Sequence, residues 1–299
     1  MTRKEGNAHP LMHHAFSSYH PAAAFAFIVS AALLSMAAMH PVYVALSLAG
    51  ALAASIVLRG ARQTARSLAW VVPMCAIMAC ANPLFSASGS TELFHVGGLV
   101  VYVESVVYGL CSGGMFAAVF LWFASYARCM TSENSLALLG NIAPTVTLMA
   151  SQVLRLVPQF VSRGASVAAV QDAASAAAPV TKRDAAQGRF RIVSVLMEWG
   201  MEDGIGRTDA MRARGYGCGA RRTTYKRYRF GSTDAALTGL IVALAALNAG
   251  LIAAACSAYD FYPVMTPLHM QAGYAAYAAF LAIPIVLQAK EWWQWRSLK

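Results

Sequence analysis

Six stretches of this chain are apolar enough, and nearly long enough, to span the roughly 30 Å of hydrocarbon in a bilayer. They lie at about 21–39, 41–58, 68–85, 106–126, 235–256 and 271–289. Of 299 residues, 58% are hydrophobic and 12% charged, against about 25% charged in a soluble domain. The chain therefore reads as an all-α integral membrane protein with about six transmembrane helices. His40-Pro41 separates the first two spans as a tight turn. Pro73 and Asn82-Pro83 shorten or kink the third. The apolar stretch 93–103 is too short to cross. It is expected to dip into the interface or to lengthen the next helix. No cleavable signal peptide is expected in the first 20 residues, which hold no short apolar core with a small-residue cleavage site.

The distribution of charge orients these spans. An even number of crossings puts both termini on one side. That side then holds the N-terminus, the 59–67 loop, residues 127–234 and the C-terminal tail, which together contain all 23 Lys and Arg. The opposite loops, 84–105 and 257–270, carry Glu92, Glu104 and Asp260 and no Lys or Arg. A bias of this kind marks the cytoplasmic face, so both termini are expected in the cytoplasm of a cell-membrane protein. It also accounts for the net charge of +10 without nucleic acid as a partner. Trp292, Trp293 and Trp295 are suited to an interfacial anchor.

Few residues point to chemistry. The six cysteines (75, 80, 111, 129, 218, 256) have no metal-ligand spacing, so neither disulfides nor zinc are expected. His9, His13, His14 and His20 form either a metal-loading tail or, preferably, a plain polar end. Glu92, His95 and Glu104 form either an outer metal site or, preferably, unpaired loop polars. No span carries an internal charge of the kind that marks an ion path. There is no Gly-x-x-x-x-Gly-Lys-Ser/Thr string, so any ATP is bound by another chain.

The insert 127–234 divides the chain into N-terminal spans (1–126), a coupling region, and C-terminal spans (235–299). Within it, 136–158 is apolar and broken by Gly140, Pro144 and Arg155. A small-residue helix follows at 159–178, stopped by Pro179. A polar linker, 180–188, then leads to a long helix at 190–214. Gly200 and Gly204 share a face of that helix in small-xxx-small spacing, which lets two helices approach closely; the 159–178 helix is the expected partner. Asp203 and Arg207 are placed to pair along the surface. Glu198, Glu202 and Asp203 read as a solvated face rather than as acid–base groups.

The long helix closes on Asp209-Ala-Met-Arg-Ala-Arg-Gly-Tyr-Gly217, followed by Arg221, Arg222, Lys226, Arg227 and Arg229. A glycine past the last helical residue supplies the left-handed stop, and an arginine in the final turn complements the helix dipole. With Asn82-Pro83, Pro144, Leu154-Arg-Leu-Val-Pro158, Gln171 and Asp234 in the same order, the chain resembles the transmembrane T component of energy-coupling factor (ECF) transporters. The resemblance covers most of the chain and is most specific from Leu154 to Asp234.

The resemblance implies a non-catalytic scaffold with two long crossed cytoplasmic coupling helices. Each ends in an Ala-Arg-Gly-like motif that docks on one of two ABC-type ATPases, which hold the ATP and magnesium. The motion passes to a small membrane substrate-binding subunit, the S component, which imports a vitamin or metal ion. Carried over here, Arg212, Ala213, Arg214 and Gly215 form the ATPase-docking tip. The first motif departs from the pattern. After Gln171 and Asp172, Ala174-Ser175 stands where Arg-Gly belongs, so this helix is expected to dock by shape alone, through Asp172 or through a neighbouring base. An alternative of another class is a membrane enzyme. Asp203-Gly204, Arg207 and Asp209 resemble the start of the CDP-alcohol phosphotransferase signature, whose further metal-binding aspartates are replaced here by Arg221, Arg222 and Lys226.

Overall fold

The computed structural model describes residues 19–85, 89–96, 99–140, 143–174, 182–219, 230–262, 265–267 and 269–297. The N-terminal histidines 9, 13 and 14, Ser175 and the basic tail 221–229 lie outside the described residues. Two compact units are present. The membrane-type segments, residues up to 135 and from 228 onward, form one, and residues 136–227 form the other.

In the first unit, α1 (Pro21–Ala37) and α2 (Pro41–Arg59) both begin the same way. A histidine N-cap accepts the first free N–H (Ala22 N to His20 Nδ1, 3.1 Å; Val42 N to His40 Nδ1, 3.3 Å), and proline fills the first helical position. Proline costs nothing there because its missing N–H would have no partner. The His40-Pro41 turn is present as expected. Helix α3 (Ala61–Phe85) runs through both Pro73 and Pro83, so neither proline shortens it. Helices α4 (Val103–Cys129), α8 (Ser232–Ser257), α9 (Ala272–Leu281) and α10 (Ile283–Ser297) complete the unit.

Four helices, α2, α3, α4 and α8, are long and apolar enough to cross a membrane. Helices α9 and α10, bent by 43°, make a fifth span if counted as one. The break falls at Ala282, two residues before Pro284, which cannot donate a helical hydrogen bond across it. Helix α1 has 17 residues, about 26 Å at 1.5 Å per residue, just short of the hydrocarbon thickness. Against the six spans expected, the described residues hold four clear ones, a fifth if the bent pair is one span, and one shorter apolar helix.

The helix ends sort into two sets. His20 N donates to Asp234 Oδ1 (3.1 Å) and Cys256 Sγ lies 3.8 Å from Ala37 O, so α1 and α8 run parallel. Phe25 meets Tyr126 at the first end. At the second, Asn82 Nδ2 donates to Ser105 O (2.8 Å), and His40 packs on Tyr43, Tyr259 and Tyr274 with ring centroids 4.6–5.7 Å apart. Arg59, Arg62, Arg66 and Arg128 all fall at the first end.

The core is aromatic. Phe27, Tyr43, Trp122, Tyr277 and Phe280, from α1, α2, α4 and α9, are fully buried, and Phe27 touches both Trp122 and Phe280. Helix α3 packs on α4 through glycines. A Cβ on Gly109 would lie 3.0 Å from Ala79 O, and one on Gly113 3.1 Å from Cys75 O. The outward faces of α3 and α8 are apolar (Trp70 78%, Ile77 68%, Val242 56% exposed), as a lipid-facing surface must be.

The apolar stretch before α4 is neither re-entrant nor helical. It forms an antiparallel hairpin of β1 (Glu92–Val96) and β2 (Leu99–Tyr102). Two short strand-length runs about a Gly-Gly pair are a hairpin signal that outweighs mere apolarity. The hairpin leads directly into α4. Glu104, 2% exposed, sits in the first turn of α4 and accepts from Ser90 Oγ (3.1 Å), Thr91 N (3.4 Å) and Thr91 Oγ1 (2.9 Å). It is an internal tie between loop and helix rather than an unpaired loop polar. Among the described residues no three His, Cys, Asp or Glu gather as a metal site; the side chain of His95 lies outside what is described.

Candidate functional site

The second unit is a pair of long helices, α6 (Pro144–Ala174) and α7 (Lys182–Ala213), preceded by the short α5 (Ser132–Leu139). Both exceed the sequence expectation. Helix α6 passes straight through Arg155 and Pro158, joining the apolar 144–158 segment to the small-residue segment as one rod of 31 residues. Helix α7 starts at Lys182, so most of the expected polar linker is helical. Asp184 in its first turn complements the dipole.

The helices run antiparallel. Gln152 Nε2 approaches Met211 Sδ (3.6 Å), Arg207 Nη2 donates to Gln159 Oε1 (2.5 Å), and Gln171 Nε2 stands 2.9 Å from where a Gly188 Cβ would be. The tightest fit is at Gly200, where a Cβ would lie 2.6 Å from Phe160 Cζ. At Gly204 a Cβ would meet nothing within 4 Å. Of the two glycines read as the helix crossing, Gly200 is thus the one against α6. Around this contact, Phe160 and Trp199 meet edge to face (5.1 Å), Arg163 stacks 4.0 Å over Trp199, and Arg207 Nε pairs with Asp203 Oδ2 at 2.5 Å.

The end of α7 has the geometry its sequence requires. Gly215 takes φ +81, its N–H donates to Arg212 O (2.9 Å), and Tyr216 N donates to Met211 O (3.0 Å). These are the two reverse hydrogen bonds of a Schellman stop. They leave Arg212, Ala213, Arg214 and Gly215 exposed at a rigid tip. Gln171, half-buried, with exposed Asp172 and Ala174, lies in the last turn of α6. The C-terminal turns of antiparallel helices are at opposite ends, so the two sequence-derived docking segments stand at opposite ends of the pair.

Two features were not read from the sequence. First, Ser151, Gln152, Arg155, Arg207, Ala210, Met211 and Arg214 line one groove of about 360 Å³. The signal was there in Arg155, three residues before Pro158, but its facing residue lies 59 positions away. Second, each helix carries an uncovered apolar stripe with the same spacing. On α6 it is Val146, Met149, Val153, Val157 and Val161; on α7 it is Phe190, Val193, Met197, Met201 and Ile205. All ten are 55–75% exposed, and no residue of α6 is buried.

In the first unit, a groove of about 340 Å³ between α1 and α4 is almost wholly apolar, with Leu33, Met36 and Phe123 exposed along it. Asp203 is engaged by Arg207, and Asp209 is exposed on α7. No protein-family model and no curated protein matches the chain.

Proposed function

We propose that this chain is the membrane scaffold and coupling subunit of an ECF-type importer. Its first unit sits in the cell membrane with the arginine-bearing end inside. Its second unit is the coupling arm, gripped by two ABC-type ATPases, which bind the ATP and magnesium. A small membrane substrate-binding subunit completes the complex and carries a vitamin or metal ion. The chain itself holds no catalytic group or cofactor in this reading and takes no part in nucleic-acid binding.

One observation carries the proposal: a long helix pair, capped by an exposed arginine, has two apolar faces that no described residue of its own unit covers. An amphipathic helix is stable in water only with its apolar stripe covered, so the arm is built for partners. The opposite placement of the two C-terminal turns suits one partner at each end. The apolar groove between α1 and α4 suits a further membrane helix.

Affinity purification of the full chain from native membranes tests this. Two ATPase-sized subunits and a small hydrophobic protein are expected to come with it. Arg214→Ala is expected to lose the ATPases and uptake while still inserting. Co-purification at wild-type yield with intact transport sinks the docking role of Arg214.

A further inference from the structure

We infer that Arg155 of α6 and Arg214 of α7 act together as a receptor for one carboxylate side chain of the protein that docks on the arm. This rests on the coupling reading and adds the chemistry of the partner and a second arginine.

The three arginines lining the groove are not equivalent. Arg207 is occupied by Asp203 and by Gln159. Arg155 and Arg214 are exposed and have neither an ion pair nor a hydrogen-bond partner among the described residues. No Asp or Glu is among the groove's lining residues, and Asp203 is committed to Arg207, so the groove keeps two uncompensated guanidinium groups. Two planar forks lining one groove match a carboxylate, which accepts paired N–H···O bonds on both oxygens. Gln152, whose amide is spent only on a weak 3.6 Å contact to Met211 Sδ, is a further donor.

The position of Arg155 favours a protein over a lipid headgroup. At 3.6 residues per turn, Arg155 lies about 180° around α6 from the centre of the Val146–Val161 stripe. A bilayer that covered the stripe would therefore face away from Arg155. A protein that wraps the tip of α7 reaches it.

The test uses the full chain in nanodiscs of neutral phosphatidylcholine and the ATPases that co-purify with it. Arg155→Ala and Arg214→Ala are each expected to weaken ATPase binding about 30-fold, the scale of stranding one partner of an interfacial charge pair. The double variant is expected to be little worse than either single one, because the two act on one carboxylate. Arg155→Lys, which keeps charge and fold but not the fork, is expected to fall between. Wild-type affinity for Arg155→Ala beside a weak Arg214→Ala overturns the shared receptor and leaves the coupling reading standing. Full additivity of the two losses also overturns it. Loss of binding by Arg155→Ala to vesicles containing phosphatidylglycerol, with ATPase affinity unchanged, overturns it in favour of a headgroup. Absence of any ATPase from the wild-type purification removes both readings.

Discussion

Tyr43 and Tyr277 are both fully buried in the same aromatic core, yet their hydroxyls differ. Tyr277 Oη lies 2.6 Å from Ser47 Oγ and 3.4 Å from Ser35 Oγ. Tyr43 Oη is buried without a partner among the described residues, facing the flat surface of Gly273. Tyr277→Phe should cost about 1 kcal/mol, the worth of a hydrogen bond between helices. Tyr43→Phe should be neutral or stabilising, since an unmet hydroxyl is a burden. Thermal unfolding in one detergent would separate them, and equal losses would contradict the assignment. His40 supplies a pH dependence. Its Nδ1 accepts from Val42 N, Nε2 faces Tyr274 Oη (3.4 Å), and burial holds its pKa below the ordinary 6.5. A base with a depressed folded pKa binds fewer protons folded than unfolded. Its stabilisation is therefore complete above about pH 6.5 and is lost as the pH falls below it. Melting at pH 5 against pH 7.5 should show a drop that His40→Gln reduces.

Individual elements were legible where local chemistry decides them. The proline N1 starts of α1 and α2 and the Gly215 stop of α7 follow from backbone chemistry written in adjacent residues. The hairpin at 92–102 was misread because its apolarity masked the turn signal of the Gly-Gly pair between two short runs. The small-xxx-small pair at Gly200 and Gly204 was legible as spacing, but only Gly200 meets α6. The same spacing at Gly109 and Gly113 went unread, and there both glycines lie against backbone atoms of α3. Gly113→Ile should therefore destabilise the first unit by about 1–3 kcal/mol, the usual cost of overpacking, whereas Gly204→Ile should leave folding unchanged. A comparison of the two melting temperatures checks this. The stripes of α6 and α7 carry their own prediction. Met201→Asp, on an exposed face of α7, should leave insertion and helicity intact while reducing partner capture tenfold or more. Unchanged capture would mean that the stripe is not an interface.

At the scale of the molecule, Cys218 is a built-in reporter. It is exposed, three residues past the Gly215 stop, while Cys80 lies within an apolar span that a membrane-impermeant reagent does not enter. A membrane-impermeant maleimide should label Cys218 in inverted vesicles and not in intact cells. Labelling in intact cells would put the α7 tip outside and remove any ATPase from its reach.

The sequence by itself determined the membrane character, the two-sided distribution of charge and the rigid arginine tip. Each depends on solvent preference or backbone chemistry that a residue carries wherever it goes. Only the tertiary structure decided which glycines meet backbone, that α6 and α7 are single antiparallel rods, and that Arg155 shares a groove with Arg214. Those facts belong to pairs of residues far apart in the chain, and pairing is created by packing rather than by composition.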